Sequence, residues 1–470
     1  MSRKRKKQNM LHTALTVLIL VLIAVILFLI VQCVTLPRKE NTPSPEVTAA
    51  LPLPVETTAS PTETTMPEPE HVVSTASIAA QGDLLMHIQL FSDNAKYNSV
   101  NNLRDGTYNF DSIFEYLVDY TSAYDYAVAN LETTFGGDDY PYQGNPAFNC
   151  PDELADAVVT AGYDMLLTDN NHCGDTNEPG LKRTLEVVRE TGLAALGTRL
   201  TVEEERYSIV EINGIKIGMI CYTYSSGMKD GKPRLNGGLP FQEPELVNYF
   251  SNLDLESFYA EITQVYTDMM AAGAEASILY IHWGDEYYLK ENYRQNEIAQ
   301  KMCDLGFDVI AGGHPHVVQP MELLTSTTDP DHKTVCLYSM GNAVSNQRYG
   351  NISMIDTPHT EDGVLFSVTF EKYSDGTVYL AETDILPTWV NMHYATGRRE
   401  YNILPLDETR ADEWAEMFGI GEDTLSAAQR SYDRTMAIVG EGLAQCQEYL
   451  TQAKADRESG YYDLAYSTIP

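Results

Sequence analysis

Three times in this chain a helix-favouring stretch ends in glycine, one residue intervenes, an acid follows and an apolar strand-like run begins. The instances are Gly162-Tyr163-Asp164, Gly273-Ala274-Glu275 and Gly306-Phe307-Asp308. Glycine accepts the left-handed backbone that closes a helix, so each marks a helix handing over to a strand. The surrounding sequence keeps the same alternation. ASIAAQGDLLM, YAVANLE, YDMLLTD, SILYIHWG, DVIAGGHPH and TVCLYSMGN read as strands. SIFEYLVDYTSAYD, DELADAVVTAG, GLKRTLEVVRETG, ESFYAEITQVYTDMMAAG and YRQNEIAQKMCDLG read as helices between them. Two hairpins are expected, turning at Asn213-Gly214 and Asp375-Gly376. The pattern predicts an α/β domain over residues 76–404 and a polar, acidic, helix-favouring extension over 405–470.

The predicted strands run out into polar residues. Asp83 follows Gly82, Asn130 and Glu132 close ANLE, and Asn171-His172 stand in LLTDNNHCGD. His282 ends SILYIH, and His314-Pro315-His316 follow Gly312-Gly313. Functional groups in α/β sheets gather outside the carboxyl ends of the strands, so these distant residues are expected to converge. Carboxylates, an amide oxygen and neutral imidazoles together form a mixed N/O donor set suited to Mn²⁺, Fe²⁺ or Zn²⁺. One or two ions are expected: Asp83 and His316 on one, Asn171, His282 and His314 on the other, with Glu132 bridging. His172, beside a ligand, is the expected proton donor to a leaving group.

The N-terminus is of a different kind. Arg3, Lys4, Arg5, Lys6 and Lys7 precede a run from Ala14 to Val31 in which only Thr16 is polar. As a helix that run measures roughly 27 Å, close to a hydrocarbon core. The expectation is a cytoplasmic basic segment (1–10), a transmembrane anchor (11–34) and a disordered stalk rich in Pro, Thr and Glu (35–75). This places the protein in the cell membrane as a single-pass chain, N-terminus cytoplasmic and C-terminal domain extracellular. The 31 basic residues face 67 acidic ones, a net charge of −36. Such a field repels polyanions and argues against nucleic acid as a partner; an anionic substrate would need a local positive group to overcome it. Of seven cysteines, Cys221 and Cys336 sit in apolar runs as buried thiols, and Cys173 reads as a packing neighbour of His172.

QGDLLMH, ANLE, TDNNHCGDTNEPGLKRTL, IHWGDEY, AGGHPHVVQPME and YSMGN, in this order, resemble the CapA family of capsule synthesis. The resemblance covers about residues 76 to 390. It implies a four-layer αββα sandwich like that of calcineurin-type metallophosphatases, and an association with poly-γ-glutamate capsule synthesis. It also implies that Asn130, Glu286, Glu322 and Asn342 support the ligands or face substrate. The chain departs from the phosphatase pattern at two points. Leu85 stands where Asp-x-His would place a histidine, His87 lying four after Asp83, and Glu132 replaces the Gly-Asp carboxylate. One metal site is thereby short of a ligand. Three functions remain open on these residues. The first is assembly or export of an anionic polymer, poly-γ-glutamate, by a metal-dependent hydrolase or transferase. The others are extracellular phosphoester hydrolysis, and a non-catalytic scaffold for a membrane synthase.

Overall fold

In the computed structural model the described residues are 71–238, 241–350, 353 and 355–467, with side chains described to residue 458. The strands expected from the sequence assemble into two mixed sheets. In the first, β1 (Val72–Leu84), β2 (Tyr126–Asn130), β3 (Met165–Leu167) and β4 (Ala194–Leu196) run parallel. Of the second sheet's strands, β5 (Tyr207–Ile212) and β6 (Ile215–Tyr224) form the expected hairpin about Asn213 and Gly214, both at positive φ. A short ribbon, β7 (Gly227–Lys229) with β8 (Lys232–Arg234), and β9 (Tyr249–Phe250) follow. Next come β10 (Ala276–His282), β11 (Val309–Gly313), β12 (Met321–Thr325) and β13 (Lys333–Leu337). The chain then returns to the first sheet with β14 (Asn342–Val344), β15 (Asp362–Tyr373), β16 (Val378–Ala395) and β17 (Arg398–Pro405). The sheet orders are β17-β16-β15-β1-β2-β3-β4, with β14 beside β1, and β12-β13-β11-β10-β6-β5, with β9 beside β6.

Side chains alternate across each strand, and the core divides accordingly. Ile78, Ala80, Val128 and Met165 of the first sheet pack against Met219, Cys221, Ile278 and Tyr280 of the second. Their neighbours Ala127, Ala129 and Leu166 turn the other way, toward Leu154 and Val158 of α1 (Glu153–Thr160) and Val188 of α2 (Asn177–Glu190). On the far side, Ile220, Tyr222, Leu279 and Ile281 meet α3 (Leu255–Ala271) and α4 (Tyr293–Leu305) through Phe258, Ile262, Met269, Ile298 and Met302. The layers are therefore helix, sheet, sheet, helix. SIFEYLVDYTSAYD is not one helix: it forms two helical turns, Asp111–Phe114 and Val118–Thr121, whose buried Ile113, Phe114 and Leu117 fill the first outer layer. All six cysteines among the described residues are free and buried.

The acids of the repeated signature have a shared job. Asp164 accepts from the Ala127 backbone N–H at 2.8 Å, Glu275 from Lys216 at 2.9 Å and Asp308 from Ser277 at 2.8 Å. Asp125 does the same for Ser77 at 2.9 Å. Each carboxylate thus satisfies a backbone donor one residue before the parallel pairing begins and fixes its register. Asp308 also accepts from Ser277 Oγ at 2.9 Å. Asp308→Ala leaves the Ser277 N–H unpaired and Ser277 Oγ with only the Gly306 carbonyl at 3.5 Å, and urea unfolding is expected to show a loss of about 2 kcal/mol.

The C-terminal segment is helical, as expected, but it is built into the core. Helix α5 (Glu422–Ser467) places Val439, Leu443, Cys446 and Leu450 in the cluster between the sheets, with Met321 of β12 and Ile385 of β16. Gly442 makes this approach feasible, since a Cβ there would stand 1.8 Å from the Met321 carbonyl oxygen. Buried Asp362 on β15 accepts from Ser431 Oγ (2.6 Å) and from both Nε (2.9 Å) and Nη2 (2.6 Å) of Arg434, pinning the helix to the sheet.

The expected single-pass membrane placement, with an extracellular domain, is corrected. Among the described residues no helix is long and apolar enough to cross a membrane. The long helix α5 carries charged residues along its length. The proposed basic segment and anchor, 1–10 and 11–34, and nearly all of the stalk lie outside the described residues.

Candidate metal centre

Strand register brings the ligating groups together. Asp83, near the end of β1, pairs with Asn130 at the end of β2 on one side and with Asn342 at the start of β14 on the other. In the second sheet His282, last residue of β10, pairs with Gly313, last residue of β11. Any side chain at position 313 would crowd this point, because a Cβ would lie 3.0 Å from Asp83 Oδ1 and 3.5 Å from His282 Nδ1. Just beyond, His314 and His316 both take positive φ, 97° and 57°. Non-glycine residues hold that conformation only where the surroundings impose it, as at ligand sites.

Three overlapping groups of ligating atoms result, each within 4.8 Å: Glu132–His282–His314, Asp83–Glu132–His316 and Glu286–His314–His316. Glu132 is common to the first two. Its carboxylate is completely buried, and neither oxygen has a hydrogen-bond partner among the described residues. The nearest imidazole nitrogens, His282 Nε2 at 3.4 Å and His316 Nδ1 at 3.8 Å, are too distant to serve. His314 Nδ1 is likewise without a partner. Burial, with the Asp83 charge next, pushes the Glu132 carboxyl far above its ordinary value. Burial drives His282 down to about 3 and His314 well below the imidazole range, leaving neutral rings with free lone pairs. Burial also opposes ionisation of Asp83, but the hydrogen bonds from His316 and from the Asn130 amide help hold its carboxyl below the usual value. A buried carboxylate and imidazole lacking partners are costly alone and are the donor set a divalent cation satisfies. The residues present fit such an ion.

The remaining predicted residues divide. Asn171 Oδ1 lies 2.7 Å from His282 Nε2, inside the cluster. Asn130 Nδ2 donates to Asp83 Oδ1 at 2.7 Å. Asn342 orients His316, with Oδ1 3.1 Å from its Nδ1 and Nδ2 donating to its carbonyl at 3.2 Å. Glu286 is exposed and stands over His314 and His316. Glu322 is not brought to the cluster. It lies on β12, exposed, and accepts from Tyr338 Oη at 2.9 Å, because that edge strand runs antiparallel to its neighbour β13. His87 belongs to none of the three groups; its Nδ1 lies 3.2 Å from the Leu85 carbonyl and accepts from the Asn346 N–H at 3.3 Å.

His172 sits at the rim, buried. Its Nδ1 is 2.7 Å from Asp175 Oδ2, and its ring meets Phe148 edge-on at 4.7 Å. A carboxylate on Nδ1 fixes that proton and leaves Nε2 for chemistry. Sequence reasoning missed Asp175, although the spacing of three from His172 was its available signal. Asn170 accepts from the His172 N–H and donates to the Leu131 carbonyl, tying the ANLE and TDNNH segments together. Asp169 turns inward, both oxygens unpartnered among the described residues, bordering with His282 a cavity of about 10 Å³. Tyr224 completes the wall, 4.7 Å from the His314 ring.

The chain is 26% identical over 279 residues to the PGA biosynthesis protein CapA of Bacillus subtilis (strain 168), covering 58% of this chain and 65% of that one. It is 26% identical over 287 residues to the capsule biosynthesis protein CapA of Bacillus anthracis, covering 60% and 62%. The matched part thus spans less than two thirds of either relative. Residues 77–347, which include every ligand of the cluster, match the family described as bacterial capsule synthesis protein PGA_cap, and the chain belongs to that family.

Proposed function

We propose that this protein is a metal-dependent hydrolase or transferase serving poly-γ-glutamate capsule synthesis, with its chemistry at the Glu132 cluster. The observation that carries this reading is the Glu132 carboxylate, fully buried with both oxygens unpartnered among the described residues and shared by two groups of ligating atoms. The kinship with proteins named for PGA and capsule biosynthesis supplies the polymer. Asp83, Glu132, Asn171, His282, His314 and His316 would hold one or two divalent ions, which polarise the scissile group and offset negative charge developing on it.

The protein's own residues prepare the rest. Asn130 and Asn342 fix the ligands Asp83 and His316, so little reorganisation is needed when substrate arrives. Asp175 holds the His172 tautomer, and His172 Nε2 delivers a proton to the departing group. Tyr224 and Phe148 line the approach and limit water around it.

The test uses the full chain with Mn²⁺ and poly-γ-glutamate, following polymer length by size-exclusion chromatography. Shortening or transfer that stops on chelation is expected, and His172→Ala should slow it by about a hundredfold or more while retaining metal. An aryl phosphate is the comparison substrate, since the same donors would serve a phosphoester. Polymer left intact with every divalent ion tried would sink the enzymatic reading.

A further inference from the structure

A separate cavity of about 420 Å³ opens beside the metal centre, lined in part by His87, Gln89, Lys96, Asn346 and Arg399. That volume lies within the usual range for small-molecule sites. It adjoins the centre through one aromatic ring: His87 meets Phe148 edge-on at 5.2 Å, and Phe148 meets His172 at 4.7 Å. Its two cations come from opposite parts of the chain. The loop after β1 pairs with the start of β17, where Ser99 bridges Arg399 and the Val100 N–H donates to the Arg399 carbonyl at 2.9 Å.

In a chain of net charge −36, cations without acidic partners are informative. Lys96 Nζ lies over the Tyr97 ring at 5.1 Å. Arg399 donates to the Tyr394 and Tyr401 hydroxyls, each at 3.4 Å, and its Cζ lies over the Tyr394 ring at 6.0 Å. Neither forms an ion pair with a carboxylate among the described residues. Asn346 has its Oδ1 taken by Tyr401 Oη at 2.6 Å, which leaves Nδ2 as that side chain's donor. Gln89 Oε1 is buried and without a donor among the described residues. The cavity therefore offers two cations and an amide donor for an anionic oxygen, and one unmet acceptor for an N–H.

We propose that this cavity is a substrate subsite that binds one carboxylate-bearing, amide-linked repeat of an anionic polymer, Lys96 and Arg399 holding the carboxylate and Gln89 the amide N–H. Such a repeat supplies both functions at once, whereas a phosphate chain supplies no N–H. The subsite overcomes the repulsive field of the protein locally and threads the polymer past Phe148 toward His172. The inference rests on the functional reading above only for the identity of the polymer.

Binding of a fluorescently labelled γ-linked glutamate oligomer to the metal-loaded full chain is the test, by anisotropy at low and high salt. Lys96→Gln and Arg399→Gln are each expected to weaken binding about tenfold, Lys96→Glu more so, and Arg399→Lys far less than Arg399→Gln. Affinity should fall with salt, while metal content stays as in the parent. Lys96 is exposed, so its variants carry the test should Arg399→Gln fold poorly. Oligomer binding that is equal in the parent and the Lys96→Gln/Arg399→Gln double variant overturns the subsite and leaves the proposed function standing. No oligomer binding by the metal-loaded parent overturns the subsite together with the polymer assignment. An oligophosphate that competes better than unlabelled glutamate oligomer overturns the carboxylate–amide assignment.

Discussion

Glu132→Gln is expected to strip the protein of divalent metal while leaving the metal-free fold as stable as the parent. The two effects have one cause. In the absence of a cation, Glu132 keeps a carboxyl group at complete burial with neither oxygen hydrogen-bonded among the described residues. Burial holds that carboxyl in its neutral form, so the amide of the same shape exchanges one unpartnered polar group for another and should leave metal-free stability unchanged to within about 1 kcal/mol. With the cation present the two side chains differ, because Glu132 is the carboxylate shared between Glu132–His282–His314 and Asp83–Glu132–His316. Elemental analysis should show metal content reduced about tenfold or more. Chelation should lower the melting temperature of the parent and leave that of the variant unmoved, since an ion held at a hundred times its dissociation constant stabilises by about 2.7 kcal/mol. Equal metal content in parent and variant would remove Glu132 from the ligand set.

Gly442→Ala is expected to destabilise the protein by about 2–4 kcal/mol, against the sign that helix propensity assigns. In an isolated helix alanine is better than glycine by about 1 kcal/mol. Here the added methyl would stand 1.8 Å from the Met321 carbonyl oxygen and 2.5 Å from its carbon, both backbone atoms of β12. Relief requires α5 to shift outward, which loosens Val439, Leu443 and Cys446 from the core between the sheets. Overpacking of this kind costs on the order of 1–3 kcal/mol before lost contacts are added. Urea unfolding measures it, and metal content should not change, because no cluster ligand lies on α5. A stabilised variant would mean that the helix lies farther from β12 than the structure has it.

The two outcomes bear on how far this chain explains itself. The ligating residues were legible because each stands where an apolar run breaks into polar residues, a signal carried within a few positions. Parallel strands then deliver such exits to one edge, so Asp83, Glu132, Asn171, His282, His314 and His316 meet although more than two hundred residues separate the first from the last. Motif position was a weaker guide for Glu322, which the antiparallel edge strand β12 keeps away from the cluster. It gave nothing for Lys96 and Arg399, which share a cavity only because a loop after β1 pairs with β17.

What the sequence by itself determined is local: strand and helix periods, the glycines that end helices, the two hairpin turns and the donor chemistry at the strand exits. These follow from backbone sterics and side-chain period, which act over a few residues. The tertiary structure decided the rest. It made Asp164, Glu275 and Asp308 partners of neighbouring strands and not of their own turns. It turned an acidic C-terminal helix into part of the core and left two cations facing an open cavity. Each of these depends on which distant segments come into contact, and contact between distant segments is settled by burial and packing over the whole domain, which no short window of sequence contains.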